Sequence, residues 1–187
     1  MFAILLFGLT SGCTHLRPVV VNSSNLPSGV VLPHHAALVL DQSLADFKYE
    51  FHNAGDTWVY PYGPALTNYA RQVVGKCFQQ VEVVPSVEQA AALASADLIL
   101  IPRAVKFDRG LPATAFGNVN ATLVLEWTAK DRASQNTIWL KTITADVSSK
   151  YGSMFSASKH EHLLNQKLFD DLNLKTCKAF QEAAELR

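Results

Sequence analysis

From Val119 to Trp127 every second residue is apolar. Val119, Ala121, Leu123, Leu125 and Trp127 fall on one side; Asn118, Asn120, Thr122 and Glu126 fall on the other. A period of two is the signature of a β-strand with one face buried and the other in water. Asp131 to Gln135 is a polar turn, and Thr137 to Val147 returns with Trp139, Ile143 and Val147 on one side. The whole stretch reads as a β-hairpin, which commits part of the fold to antiparallel pairing. Its apolar face must be covered by another layer. The chain has the means: 187 residues are room for one domain, and 49% apolar against 17% charged residues permit a sizeable core.

Helices supply the cover. Gly63-Pro64 opens one, with proline in the first turn where its missing N–H costs nothing. Leu66, Tyr69, Ala70, Val73, Cys77 and Phe78 recur at three and four along it. Gly75 weakens it by about 1 kcal/mol relative to Ala unless something packs closely there. The C-terminal stretch to Arg187 reads as a long helix with Leu164, Leu168, Leu172, Ala179 and Ala183 in a stripe. Ser86 to Gln89 has the capping-box form and opens a short helix to about Ala94. Strands are expected at Ala36–Asp41, at Phe47–His52 with its alternating Phe47, Tyr49 and Phe51, at Val81–Val84, and from Leu98 through Pro102 toward Phe107. Trp58–Tyr62 is β-prone, but Pro61 demotes it to an edge or a loop. The predicted class is α+β: one mixed, largely antiparallel sheet with the two longer helices packed on one face.

Upstream of this domain, taken as residues 34–187, the chain changes character. Phe2 to Leu9 is an apolar run, far shorter than the roughly 20 residues of a membrane-spanning helix. Thr10, Ser11, Gly12 and Cys13 follow. An apolar run ending in small residues is the form of a secretory signal, here residues 1–12. His15 to Pro33 holds three prolines and three serines and reads as an extended tether; Val19–Val21 and Val30–Leu32 have the alternative of lying along a sheet edge.

Little in the composition or motifs points to chemistry. Lys plus Arg and Asp plus Glu are 16 each, so no basic excess exists to neutralise a phosphate backbone, and nucleic acid is a poor partner. His34-His35 and His160-Glu161-His162 lack the four-residue spacing of a zinc helix, so no metal or other cofactor is expected. No Gly-x-Ser-x-Gly elbow or phosphate loop occurs. Glu126 and Asp146 share the wet face of the hairpin with Thr122, Thr142 and Thr144, as on an ordinary solvated sheet. No catalytic residue is assigned. What stands out is aromatic: Trp58, Tyr60 and Tyr62 before the first long helix, Phe116 in one loop, Tyr151 and Phe155 in another. They either form a contact surface or cover the end of the sheet.

Ser11-Gly12-Cys13 resembles the lipobox of bacterial lipoproteins. That resemblance implies acylation of Cys13 on sulfur, removal of residues 1–12, and a mature chain that begins with residues 13–33 as a lipidated tether. Thr14, being other than Asp, implies sorting to the periplasmic face of the outer membrane. With the α+β layout, the chain resembles small envelope lipoproteins of Gram-negative bacteria such as LptE and the YajG-like proteins. The implied role is a membrane-anchored, non-enzymatic accessory that docks on an envelope protein. The alternative is a small-ligand or lipid carrier with a pocket between sheet and helices. In an oxidising compartment Cys77 and Cys177, one on each long helix, come within disulfide reach if both helices cover the same face; otherwise they are separate buried thiols.

Overall fold

The computed structural model describes residues 13–21, 31–53, 55–110, 117–150 and 157–187. In chain order the elements are β1 (Thr14–Leu16), β2 (Leu32–Val39), α1 (Gln42–Ala45), β3 (Lys48–Asn53), β4 (Asp56–Pro61), α2 (Gly63–Cys77) and β5 (Phe78–Val84). They continue with α3 (Val87–Ala92), β6 (Leu98–Arg109), β7 (Asn118–Asp131), β8 (Thr137–Lys150) and α4 (Ala157–Glu182), closed by a 3₁₀ turn at Ala184–Leu186. The class is α+β, as predicted.

The strands form two sheets rather than the single sheet expected: a five-stranded one in the order β5-β2-β6-β7-β8 and a three-stranded one in the order β1-β4-β3. The pairing is mixed and largely antiparallel, as expected: β3–β4, β6–β7 and β7–β8 are all antiparallel. β2 runs parallel to both β5 and β6, and β1 runs parallel to β4. The reason for the parallel pairs is legible in β2, whose run Ala36-Ala37-Leu38-Val39 is buried throughout. Both faces of this strand are covered, the usual condition of a parallel strand. Ala36 and Leu38 join the main core, while Ala37 and Val39 join a second one closed by Ala90 of α3.

The β7–β8 hairpin is as expected. Leu125 lies opposite Ile143, and Ala129 opposite Trp139. The side chains from Val119 to Ala129 on the inner face are at most 3% exposed. The two long helices cover that face. α2 contributes Leu66, Tyr69, Val73 and Cys77; α4 contributes Leu168, Phe169, Leu172, Cys177 and Phe180. Trp127 sits between them, edge-on to Phe180 and Tyr69. The free edge of β8 is capped by α4: Lys175 Nζ donates to the Thr144 carbonyl, and the Asp146 N–H donates to Asp171. Side chains thus take groups that would otherwise recruit another strand.

Three further boundaries depart from the sequence reading. β2 begins at Leu32 rather than at Ala36 and ends at Val39. Phe78 is the first residue of β5, extended at the end of α2, and not part of the helix stripe. The final helix stops at Glu182, short of the C-terminus.

Candidate functional site

Residues 13–21 do not extend away from the domain as a tether. They lie on it, but the stretch that takes a sheet edge is Thr14–Leu16 and not Val19–Val21, which forms no strand. Thr14, His15 and Leu16 pair in register with Thr57, Trp58 and Val59 of β4. The Thr57 N–H donates to the Cys13 carbonyl at 3.0 Å, the Arg17 N–H to the Val59 carbonyl at 2.9 Å, and the Cys13 N–H to Asp56 Oδ1 at 3.2 Å. Side chains reinforce the ladder. The His15 ring stacks on Trp58 with centroids 4.4 Å apart, and the Arg17 guanidinium lies 4.7 Å from the same ring, a cation–π contact. His162 Nδ1 donates to the Val20 carbonyl, and Val19 and Val21 pack against the core. Cys13 itself is exposed.

The aromatic run Trp58–Tyr62 is therefore not a loop. β4 is the middle strand of its sheet, with Pro61 as its last residue, where a missing N–H is tolerated. Trp58 is partly buried beneath β1. Tyr60 and Tyr62 are 7% and 1% exposed, so Tyr62 is core and presents no contact surface. Phe116, Tyr151 and Phe155 lie outside the described residues.

What the tyrosines touch had no clear signal in the sequence. The Tyr60 hydroxyl donates to Glu161 Oε1, Tyr62 to Asn165 Oδ1 at 2.8 Å, and Tyr69 shares a hydrogen bond with Thr176 at 2.6 Å. These are polar positions on the inner side of α4, and their interruption of the apolar stripe was the only available hint. Glu161 also accepts from Arg109 Nη2 at 3.3 Å, and the Arg109 guanidinium lies over the Tyr60 ring at 5.2 Å. The Arg109 side chain is almost wholly buried, and among the described residues its Nε has no hydrogen-bond partner. Burial pushes the Tyr60, Tyr62 and Tyr69 phenols up, since a phenolate loses its hydration there.

Beside this cluster, between the N-terminal segment and α4, is a cleft of about 330 Å³ lined by Arg17, Pro18, Val20, Glu161, His162 and Asn165. Among the described residues the middle of the layer between the five-stranded sheet and the long helices is filled by Trp127, Tyr69, Phe169 and Phe180, and a cleft of about 220 Å³ lies at its edge between β8 and α4, lined by Lys141, Ile143, Lys175 and Glu182 among others. Among the described residues no group of three His, Cys, Asp or Glu side chains converges as a metal site. Glu126 and Asp146 are parted on the hairpin, Glu126 on Arg103 and Asp146 on Thr122.

Cys77 and Cys177 do meet. Both are buried, and their sulfurs stand 3.2 Å apart as thiols. The hydrogen bond to Cys177, and then burial, push the Cys77 thiol up; the same bond lowers Cys177, whose thiolate it would stabilise.

No family model and no curated protein matches the sequence. Solved structures do. A Xanthomonas campestris protein of the DUF330 family aligns with a TM-score of 0.55 at 13% identity, covering 89% of this chain and 97% of that one. A Helicobacter pylori homolog of a neuraminyllactose-binding hemagglutinin aligns at 0.50 and 9% identity, covering 87% and 92%. A minor lipoprotein from Acinetobacter baumannii aligns at 0.47 and 16%, covering 81% and 93%. The first two are likenesses of fold alone.

Proposed function

We propose that this chain is a bacterial envelope lipoprotein, anchored through acylated Cys13 at the periplasmic face of the outer membrane. There it serves as a non-enzymatic docking module for an envelope protein. The observation that carries the reading is Cys13 itself. It follows a short apolar segment and Thr10, Ser11 and Gly12, and it stands exposed beside the start of β4. No described helix is long and apolar enough to cross a membrane. The packed centre of the layer between sheet and helices, among the described residues, favours a docking module over a carrier that holds its cargo there.

The test is Cys13→Ser in cells fed labelled fatty acid. The variant is expected to take up no label and to leave the membrane fraction, while wild type does both. A variant that still sediments with the outer membrane, beside an unlabelled wild type, removes the anchor.

Export carries a second consequence. Cys77 and Cys177 are expected to become a disulfide by exchange with an oxidised dithiol donor. The Cys177 thiolate attacks the donor, then Cys77 displaces it, and the donor leaves as a dithiol.

A further inference from the structure

The conventional picture of an anchored domain is a body on a slack leash. Here the residue at the anchor is bonded to the body. Cys13 uses its N–H on Asp56 and its carbonyl on the Thr57 N–H, so the attachment point coincides with the start of β4. The N–H bond survives processing, since both a free and an acylated N-terminal amine keep a proton for Asp56.

We infer that the start of β4, Asp56 and Thr57, with His52 paired beside it on β3, is held within the lipid headgroup layer, so that this end of the three-stranded sheet is a membrane-contacting surface. The inference rests on the reading of Cys13 as acylated. Acyl chains in the hydrocarbon place the Cys13 sulfur at the inner boundary of a headgroup layer about 5–8 Å deep. Asp56 and Thr57 lie 3.2 and 3.0 Å from Cys13 backbone atoms, which is well inside that depth. Were residues 13–21 free, those nine positions alone would let the domain stand off by about 30 Å.

The chemistry of this end suits a zwitterionic or mildly anionic headgroup layer. His15 sits 3.5 Å from Asp56, and exposed His52 bonds Thr57, giving polar donors and acceptors with balanced charge. Trp58 is held under His15 and Arg17 just behind them, an aromatic ring of the kind that settles at the interface.

The test uses the full chain, exported and purified from membranes. It is reconstituted in phosphatidylethanolamine–phosphatidylglycerol vesicles containing a headgroup-nitroxide lipid. An environment-sensitive fluorophore is placed at His52→Cys or, for reference, at Ala133→Cys. Ala133 is exposed in the β7–β8 turn, at the opposite end of the long strands from Arg109. Buried Cys77 and Cys177 do not compete for the label. Quenching at position 52 is expected to exceed that at 133 several-fold. A dozen Gly/Ser residues inserted between Cys13 and Thr14, with an r.m.s. reach of about 20 Å, should abolish the difference without changing acylation. Quenching at 52 no greater than at 133 in acylated protein overturns the inference and spares the anchor. A difference that survives the insertion also overturns it, because the anchor would then not be what holds this end of the sheet. Absence of acyl groups on Cys13 by mass overturns both.

Discussion

Cys77 and Cys177 are a hundred residues apart in the chain, yet their sulfurs are 3.2 Å apart in the fold. A bond there would close a long loop in the unfolded chain, and the chain-entropy estimate for such a loop is about 4–5 kcal/mol, reduced by any native strain. Exported protein, denatured without reductant, is expected to show neither thiol reactive. Two reactive thiols would reject the bond, and in that case reductant should leave the unfolding midpoint unchanged. The aromatic residues teach the opposite lesson at the same scale. Trp58, Tyr60 and Tyr62 look alike in the sequence and differ by what covers them. β1 lies over Trp58, while α4 receives the hydroxyls of the other two. Period and composition locate such residues but do not tell a surface ring from one whose polar tip has found a buried partner.

Within α2, two glycines make opposite demands. Gly63 is buried at the helix start, its N–H donating to the Phe47 carbonyl. A Cβ there would lie far inside van der Waals contact distance of the Ala45 carbonyl oxygen. The backbone of α1 thus passes where any side chain would be. A Cβ at Gly75 would meet nothing within 4 Å among the described residues outside its own helix turn, which removes the close packing that would have justified its helix cost. Gly63→Ala is expected to lower stability by about 1–3 kcal/mol through overpacking. Gly75→Ala is expected to raise it by about 1 kcal/mol. Urea unfolding of the two variants against wild type measures both, and equal shifts of the same sign would refute this account of the α1–α2 contact.

For the molecule as a whole, three tyrosine hydroxyls tie β4 and α2 to α4, and burial raises all three phenols above their ordinary value of 10.0. A raised folded-state value means that the native state holds protons the unfolded chain would release. The associated stability is therefore complete below pH 10 and is lost as pH climbs above it toward the folded values. The urea midpoint is expected to hold through neutral pH and to fall steeply above pH 10. Tyrosinate absorbance should appear together with loss of helical signal rather than before it. Full ionisation of these three phenols in a still-folded protein would show them to be more accessible than the structure has them.

The one-faced alternation of Asn118–Val147, the stripes of α2 and α4, the capped start of α3 and the α+β class were all readable in order along the chain. Each depends on periodicity within a single element, and local geometry alone imposes that periodicity. The sequence also marked Cys13 as the place where the chain changes character. The division into two sheets, the parallel pairing of β2 and the docking of residues 13–21 were settled only in three dimensions. Strand partners are chosen by which faces remain to be covered once the helices are placed, and that is a property of the assembled layers. Likewise the partners of Glu161, Asn165 and Thr176 lie about 100 positions away. A buried polar group must find a hydrogen bond, but nothing in its neighbours along the chain says where.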